Sequence, residues 1–600
     1  MLFLQLVMIL IITIDALTHP HLIKLSPAKS WLDSKILILR NHFRSPYGSL
    51  TLITTLLLLL TSMGIRYYTP ISDFDDKMYR ASTPLYWTQN KSIFRFPTAN
   101  ERKNVFLMGT GFINLWPSLF QLSEQNTRVF YWLGYPILVI YLLAFAYVFS
   151  KNVTLSATIG LLFTSTPIVS SYFTHTMIQE SWGAIVLLCY GYFLFASVRV
   201  HEPSMLQKLL FSLGLTAGLL PFMKLSFAYF LIPIIASLFI YHRHVRRIVM
   251  ITVGLLISII LSGYLFLSVQ NFGLYGSPFG TIEFQRTHRS ELSLSQIRTN
   301  SSRFIALLFE FPWFSSYITK RYTETTLPIA TFLGANTPLS MENEDDWIGQ
   351  YAYSLASPNQ NFSLGGILWL AIIFLTIVHI VLGYKTHSLS KERVVTFFFI
   401  LAVFVFVVDS RWAEGSNIPC RHLISAYALF IGCSVFYANQ LLFLYRRGVG
   451  ILFLVLLFFS SSQLFLSNMN ILDSWWNQDL ITTNSHRFVN MWPYPDSLLI
   501  NATPTTYLLV ESQDSNDYPL FWYDGYQHNT VHLISGDEDQ PLEKLALTIK
   551  QRALKTGSSH IILYDQSNEL AQILEKEMPD STIDVPPSDV SLTIVQLKLR

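Results

Sequence analysis

The sequence predicts a mainly α-helical polytopic membrane protein with about 11–12 spanning helices, helices in its outer loops and a soluble α/β domain at the C-terminus. Three observations carry that expectation. Of the 600 residues, 51% are hydrophobic and 13% charged, whereas soluble domains carry about 25% charged residues. Apolar segments of near bilayer-spanning length recur from residue 49 to residue 467,. The charge is also divided. From Asn468 onward there are 18 acidic residues against 8 basic ones, so the first 467 residues hold a net +13 within an overall +3. Membrane topology accounts for that basic surplus, and nucleic acid is not an expected partner.

Residues 1–17 are apolar but lack a basic leader region and a small-x-small cleavage site, so they read as a short helix or as an overlong start, leaving the total at eleven or twelve,. Residues 18–49 carry Lys24, Lys29, Lys35, Arg40 and Arg44 against Asp33, which places them in the cytoplasm,. Spans are expected at 49–66, 129–150, 154–173, 181–198, 208–222, 225–241, 248–268, 363–383, 394–409, 421–441 and 449–467. Alternation from a cytoplasmic start makes every inner connection basic: Lys151; Arg199 with Lys208; Arg243 with Arg246 and Arg247; Lys385 with Lys391 and Arg393; Arg446 with Arg447. The expected units are a leading 1–48, a membrane domain over 49–467 and an extracytoplasmic domain over 468–600. Large outer loops fall at 67–128 and 269–362.

Loop 67–128 holds two amphipathic stretches, near 76–90 and 105–122, rich in the aromatic residues of the interfacial belt,. Gly273, Gly276, Pro278 and Gly280 open the second loop with turns,. In the tail, apolar runs at 507–510, 530–534, 560–564 and 591–595 predict strands, and 541–554 and 567–577 predict helices,. The cysteines, Cys189, Cys420 and Cys433, form no Cys-x-x-Cys pair, which excludes a disulfide framework and a structural zinc site,.

The sequence Ser72-Asp73-Phe74-Asp75-Asp76-Lys77-Met78-Tyr79 lies just past the 49–66 span, on the expected outer face. A carboxylate there suits a general base for an acceptor hydroxyl. Acidic residues at the first turn of an interfacial helix would also stabilise its free N–H groups, and spacing alone leaves both readings open.

The run from Asp75 to Thr98 resembles the signature loop of the GT-C glycosyltransferases, in particular the bacterial glycosyltransferase family 39-like proteins of the ArnT and PMT type. The matching positions are Asp75, Tyr79, Trp87, Gln89-Asn90, Phe96-Pro97-Thr98 and Arg102; Arg80 stands where the family usually has His. Further similar fragments are Thr166-Pro167 to Glu180-Ser181, Gly214 to Gly218 followed by Lys224-Leu225, the turn from Asn271 to Phe279, and Arg421-His422-Leu423.

The resemblance implies a sugar carried on polyprenyl phosphate as donor, a glycan, lipid or protein acceptor, and inverting transfer at the extracytoplasmic face of the cell (inner) membrane. It makes Asp75 the base, with Asp76 next in line. Tyr79 and Arg80 join the substrate-binding set. Lys224, Arg421 and Arg102 would offset charge developing on the leaving phosphate, although Arg102 also reads as a solvated charge beside Glu101. Glu344 and Asp345, in the acidic run 342–346, are candidate oxygen ligands for a divalent cation or contacts for the acceptor,. Membrane lipids are partners throughout. Two other readings are a glycan polymerase or ligase, and a transporter or flippase of lipid-linked glycans. The last tends to show paired repeats with broken helices, and no repeat is visible.

Overall fold

The structure is a computed structural model. It describes residues 46–288 with short interruptions, among them 69–75 and 170–178, then isolated positions between 402 and 431 and the greater part of 505–597. The expected spans between 363 and 467 fall outside the described residues apart from those isolated positions.

The chain is a mainly helical membrane protein with an α/β unit at its C-terminus. Helix α1 is Pro46–Tyr68. A π-helical turn, Asp76–Arg80, leads into α2, Ser82–Gln89. The short α3, Arg102–Val105, and α4, Gly109–Leu119, complete the first loop. Then come α5 (Glu124–Trp132), α6 (Gly134–Ser150), α7 (Val153–Thr164), α8 (Gln179–Arg199) and α9 (Pro203–Met223). After them lie a 3-10 turn, Leu225–Leu231, and α10 (Ile232–Ile240), α11 (Val245–Leu261), α12 (Tyr264–Tyr275) and α13 (Ile282–His288). Among the described residues, three helices are long and apolar enough to cross a membrane: Glu124–Val148, Ser181–Arg199 and Pro203–Met223. A fourth span results if α11 and α12 count as one, bent by 54°.

Three expected spans therefore differ from continuous helices; in that at 154–173 the helix stops at Thr164, ahead of a bend at Thr166. Residues 225–241 begin as a 3-10 turn and become α-helical at Ile232, where Pro233 sits in the first turn and needs no N–H partner,. Residues 248–268 break at Gly263, whose φ of 76° is left-handed, and a new helix starts there at a different angle,.

Small residues bring α9 and α11 into backbone contact. A Cβ on Gly214 would lie 2.1 Å from the Ile251 carbonyl oxygen, and one on Gly254 would lie 2.4 Å from that of Phe211. Gly214 and Gly218 on one helix face Gly254 and Ser258 on the other, the small-xxx-small pattern by which helices approach closely in lipid,. Polar groups also pair within the bundle: Tyr135 donates to the Thr164 carbonyl at 3.0 Å, and Trp132 Nε1 donates to Ser62 Oγ at 2.9 Å. Tyr427, from the expected 421–441 span, shares a 3.0 Å hydrogen bond with Thr166 and joins the same apolar core. At the loop end of α1, the fully buried Arg66 donates to the Arg128 carbonyl, and Arg128 pairs with Glu124 at 2.5 Å.

The tail forms a five-stranded sheet in the order β4-β1-β5-β7-β6. Its strands are β1 (Thr506–Glu511), β4 (Thr530–Ser535), β5 (His560–Tyr564), β6 (Ser581–Asp584) and β7 (Leu592–Leu597). A small hairpin of β2 (Trp522–Tyr523) and β3 (Tyr526–Gln527) stands apart. Strands β4, β1 and β5 are parallel, and β7 runs antiparallel to both β5 and β6. Leu508, Val510, Ile561 and Leu563 pack beneath α14 (Leu542–Thr556) and α15 (Asn568–Glu577). Alternation turns Tyr507 and Leu509 to the opposite face, and they too are fully buried.

Candidate functional site

The first loop is held between the bent α11–α12 pair and the edge of the tail sheet. Its entry is the π-helical turn, in which Met78 and Tyr79 are buried and the Ser82 hydroxyl donates to the Met78 carbonyl at 3.0 Å. The buried Arg80 guanidinium lies 5.4 Å from the Tyr79 ring centre, within cation–π range,. From α2, Trp87 stacks on Phe112 at 5.5 Å, and Phe112 stacks on Phe222 at 5.8 Å. Phe222 precedes Lys224 by two residues, so this aromatic ladder brings the loop to the end of α9. Lys224 there leaves the helix in an extended conformation and is partly buried.

Beyond α2 the chain turns back through Arg95. Its backbone N–H donates to Gln270 Oε1 at 3.2 Å, on the α12 side of the helix break. Its guanidinium is buried, and none of its three nitrogens has a hydrogen-bond partner among the described residues. The Gln270 side-chain NH₂ is likewise without an acceptor among them. Burial pulls the Arg95 pKa down to about 10, against an opposing contribution from Tyr275; at neutral pH the group remains cationic. A buried charge without a counter-ion costs several kcal/mol (roughly) unless an anion meets it. Arg95 and Gln270 therefore bring buried side-chain donors together, a chemistry that suits an oxyanion,.

The loop then closes onto α12 through neutral groups and onto the turn after it through a carboxylate. Asn104 Nδ2 donates to the Phe96 carbonyl at 2.7 Å and to the Tyr275 hydroxyl at 2.8 Å. Asn271 Nδ2 donates to the carbonyls of Asn104 and Pro278. The Glu101 carboxylate accepts from the Thr281 N–H at 2.8 Å and the Thr281 hydroxyl at 2.7 Å. Gly280 is required at this turn: its φ is 89°, and a Cβ would lie 2.6 Å from a Glu101 oxygen,.

Toward the tail the contacts are ionic and amide-paired. Glu511, at the end of β1, accepts from the Lys103 ammonium, from Thr98 Oγ1 at 2.6 Å and from the Ala99 N–H at 3.0 Å. The Lys103 and Glu511 side chains are both wholly buried. Gln89 exchanges two 2.9 Å hydrogen bonds with the backbone N–H and C=O of Val531 on β4. Tyr86 packs edge-on against Phe521 at 4.8 Å.

Of the residues expected from sequence, Tyr79, Arg80, Arg102 and Lys224 lie in or against this assembly. Arg102 is partly buried at the start of α3, its N–H donating to Asn100 Oδ1, while neighbouring Glu101 turns to Thr281 instead. Asp76 occupies the first position of the π-helical turn. Asp75, Arg421, Glu344 and Asp345 lie outside the described residues. Among the described residues, no group of three His, Cys, Asp or Glu side chains converges as for a metal ion. Sequence reading missed Arg95, Lys103 and Glu511, and named Gln89 as a motif position without a role. Arg95 carried one signal: a cation flanked by Phe94 and Phe96 in an aromatic loop.

No protein-family description matches the chain, and no curated protein does. Among solved structures, it is similar to ArnT from Cupriavidus metallidurans bound to undecaprenyl phosphate, at 11% identity and a TM-score of 0.40, over 92% of this chain and 98% of that one. It is also similar to the Archaeoglobus fulgidus oligosaccharyltransferase in the apo form, at 11% identity and a TM-score of 0.42, over 86% of this chain and 69% of that one.

Proposed function

We propose that this chain is a GT-C-type membrane glycosyltransferase. It takes a sugar from a polyprenyl-phosphate donor and transfers it, with inversion, to an acceptor at the extracytoplasmic face. The observation that carries the reading is Arg95: a buried, cationic guanidinium without a protein counter-ion among the described residues, in the loop that bears the resemblance. Contact between that loop and the tail supports placing both on one side of the membrane, as loop charge does,. In this reaction Asp75 accepts the proton of the acceptor hydroxyl as its oxygen attacks the anomeric carbon. The bond from that carbon to the phosphate oxygen breaks, and its electron pair leaves with the phosphate. Arg95 meets that developing charge, with Lys224, Arg102 and Arg421 as further cations.

The test follows label from radiolabelled polyprenyl-phosphate monosaccharides to acceptors in membranes carrying each variant. Asp75→Asn is expected to lower transfer about 10²–10⁴-fold at normal expression. Near-normal transfer by that variant would remove Asp75 as the base and bring Asp76 forward. Absence of transfer by the wild-type chain from any donor would sink the reading as a whole.

A further inference from the structure

The segment 89–103 is pinned at both ends to one sheet. Gln89 is tied to Val531 on β4, and Thr98, Ala99 and Lys103 are tied to Glu511 on β1. Those strands are parallel neighbours in fixed register, with Val531 opposite Tyr507 and Glu511 four residues further along β1. The two anchors are therefore held roughly 14 Å apart, from a rise of about 3.3 Å per residue and a strand spacing of about 4.8 Å. A chain of this length reaches some 45 Å when extended, at about 3.3 Å per residue. The segment is longer than its span, so its course is set by where it is tied: at the sheet by its two ends, and between them by the Arg95 N–H to Gln270 and the Phe96 carbonyl to Asn104. Arg95 lies between the ties. Tyr275 on α12 ties the 102–105 helix that follows, its hydroxyl accepting from Asn104 Nδ2 at 2.8 Å.

We infer that the C-terminal domain is a positioning element, in which Glu511 fixes the 98–103 end of the segment and so sets the Arg95 guanidinium for its anion. The inference rests on the reading of Arg95 given above. Glu511 touches no substrate in this scheme; it acts through Arg95, with Lys103 as its ionic partner and Gln89 as the second tie. The arrangement assigns a task to a domain in which no nucleophile–base constellation is evident from its sequence.

The experiment measures binding of a short-chain isoprenyl monophosphate, in mixed micelles, to the purified full-length protein. Arg95→Gln is expected to weaken binding roughly 10- to 100-fold, the value of hydrogen bonds to a charged group. Glu511→Gln is expected to weaken it about tenfold. The double variant should bind no more weakly than Arg95→Gln alone, because the second change acts through the first. Wild-type binding by Glu511→Gln, or losses that multiply in the double variant, would overturn the positioning role and leave the Arg95 reading standing. Wild-type binding by Arg95→Gln would overturn both. Should Glu511→Gln fail to fold, Gln89→Ala, which leaves every charge in place, carries the same cycle with the same two outcomes. Inorganic phosphate, run alongside, separates recognition of the oxyanion alone from recognition of a lipid phosphate.

Discussion

The first loop has two faces, held by different chemistry. Toward the bent α11–α12 pair it is fastened by neutral amides and a phenol: Asn104 to Phe96 and Tyr275, and Asn271 to two carbonyls. Toward the tail it is fastened by a wholly buried Lys103–Glu511 pair with two neutral donors added. Neutral bonds contribute modestly and fail one at a time. A buried ion pair gives little net stability but is costly to half-remove. The loop is thus secured gradually on one face and nearly all-or-none on the other, which suits an element whose cation must stay in one place.

The sharpest way to break this contrast is Lys103→Met, which leaves the Glu511 carboxylate buried without its cation. Denaturant titration of the purified protein should show a loss of about 3–5 kcal/mol, while Lys103→Met with Glu511→Leu should recover most of it. An equal loss in both variants would mean that the pair is no different in kind from the neutral face. Asn271→Ala comes next, with an expected cost of about 1–3 kcal/mol, because two carbonyls lose their donor. Hydrogen exchange should localise that change to 95–104 and 278–281; a tail-wide change would merge the two faces into one cooperative unit.

The smallest effect concerns pH. Burial, with Arg552 nearby, holds the His532 pKa below its ordinary 6.5, and burial does the same for His560. The unfolded chain then takes up protons before the folded one, so stability is full above about pH 6.5 and falls as the pH drops below it. Melting followed from about pH 7.5 to 5 should show this decline, and His532→Gln should flatten it. A rise in stability on acidification would reverse the sign of both shifts.

The two halves of the chain were readable to different depths. Four tail strands and the two helices described there lie where period-2 and period-3.6 patterns place them, because each pattern is local; β6, at four residues, is too short to announce itself. Hydropathy located the spans at 49–66, 129–150 and 181–198 within helices. It could not see the break at Gly263 or the 3-10 turn after Lys224, since summed apolarity is indifferent to backbone dihedrals. The site was visible only in part. Tyr79 and Arg102 stand in a local motif, whereas Lys103 finds Glu511 408 positions away, and no local pattern encodes such a pairing. Arg95 needed three dimensions to be recognised, because only burial distinguishes it from an ordinary interfacial arginine.

The Gln89–Val531 pairing has a consequence for solubility. Strand β4 is an edge of the sheet, and an edge strand offers its free N–H and C=O groups as a template for foreign strands,. Gln89 occupies one such pair of groups as a neighbouring strand would. Severed from the membrane half, the C-terminal domain would bare that site together with Phe521, which Tyr86 now covers, and copies of it would tend to pair edge to edge.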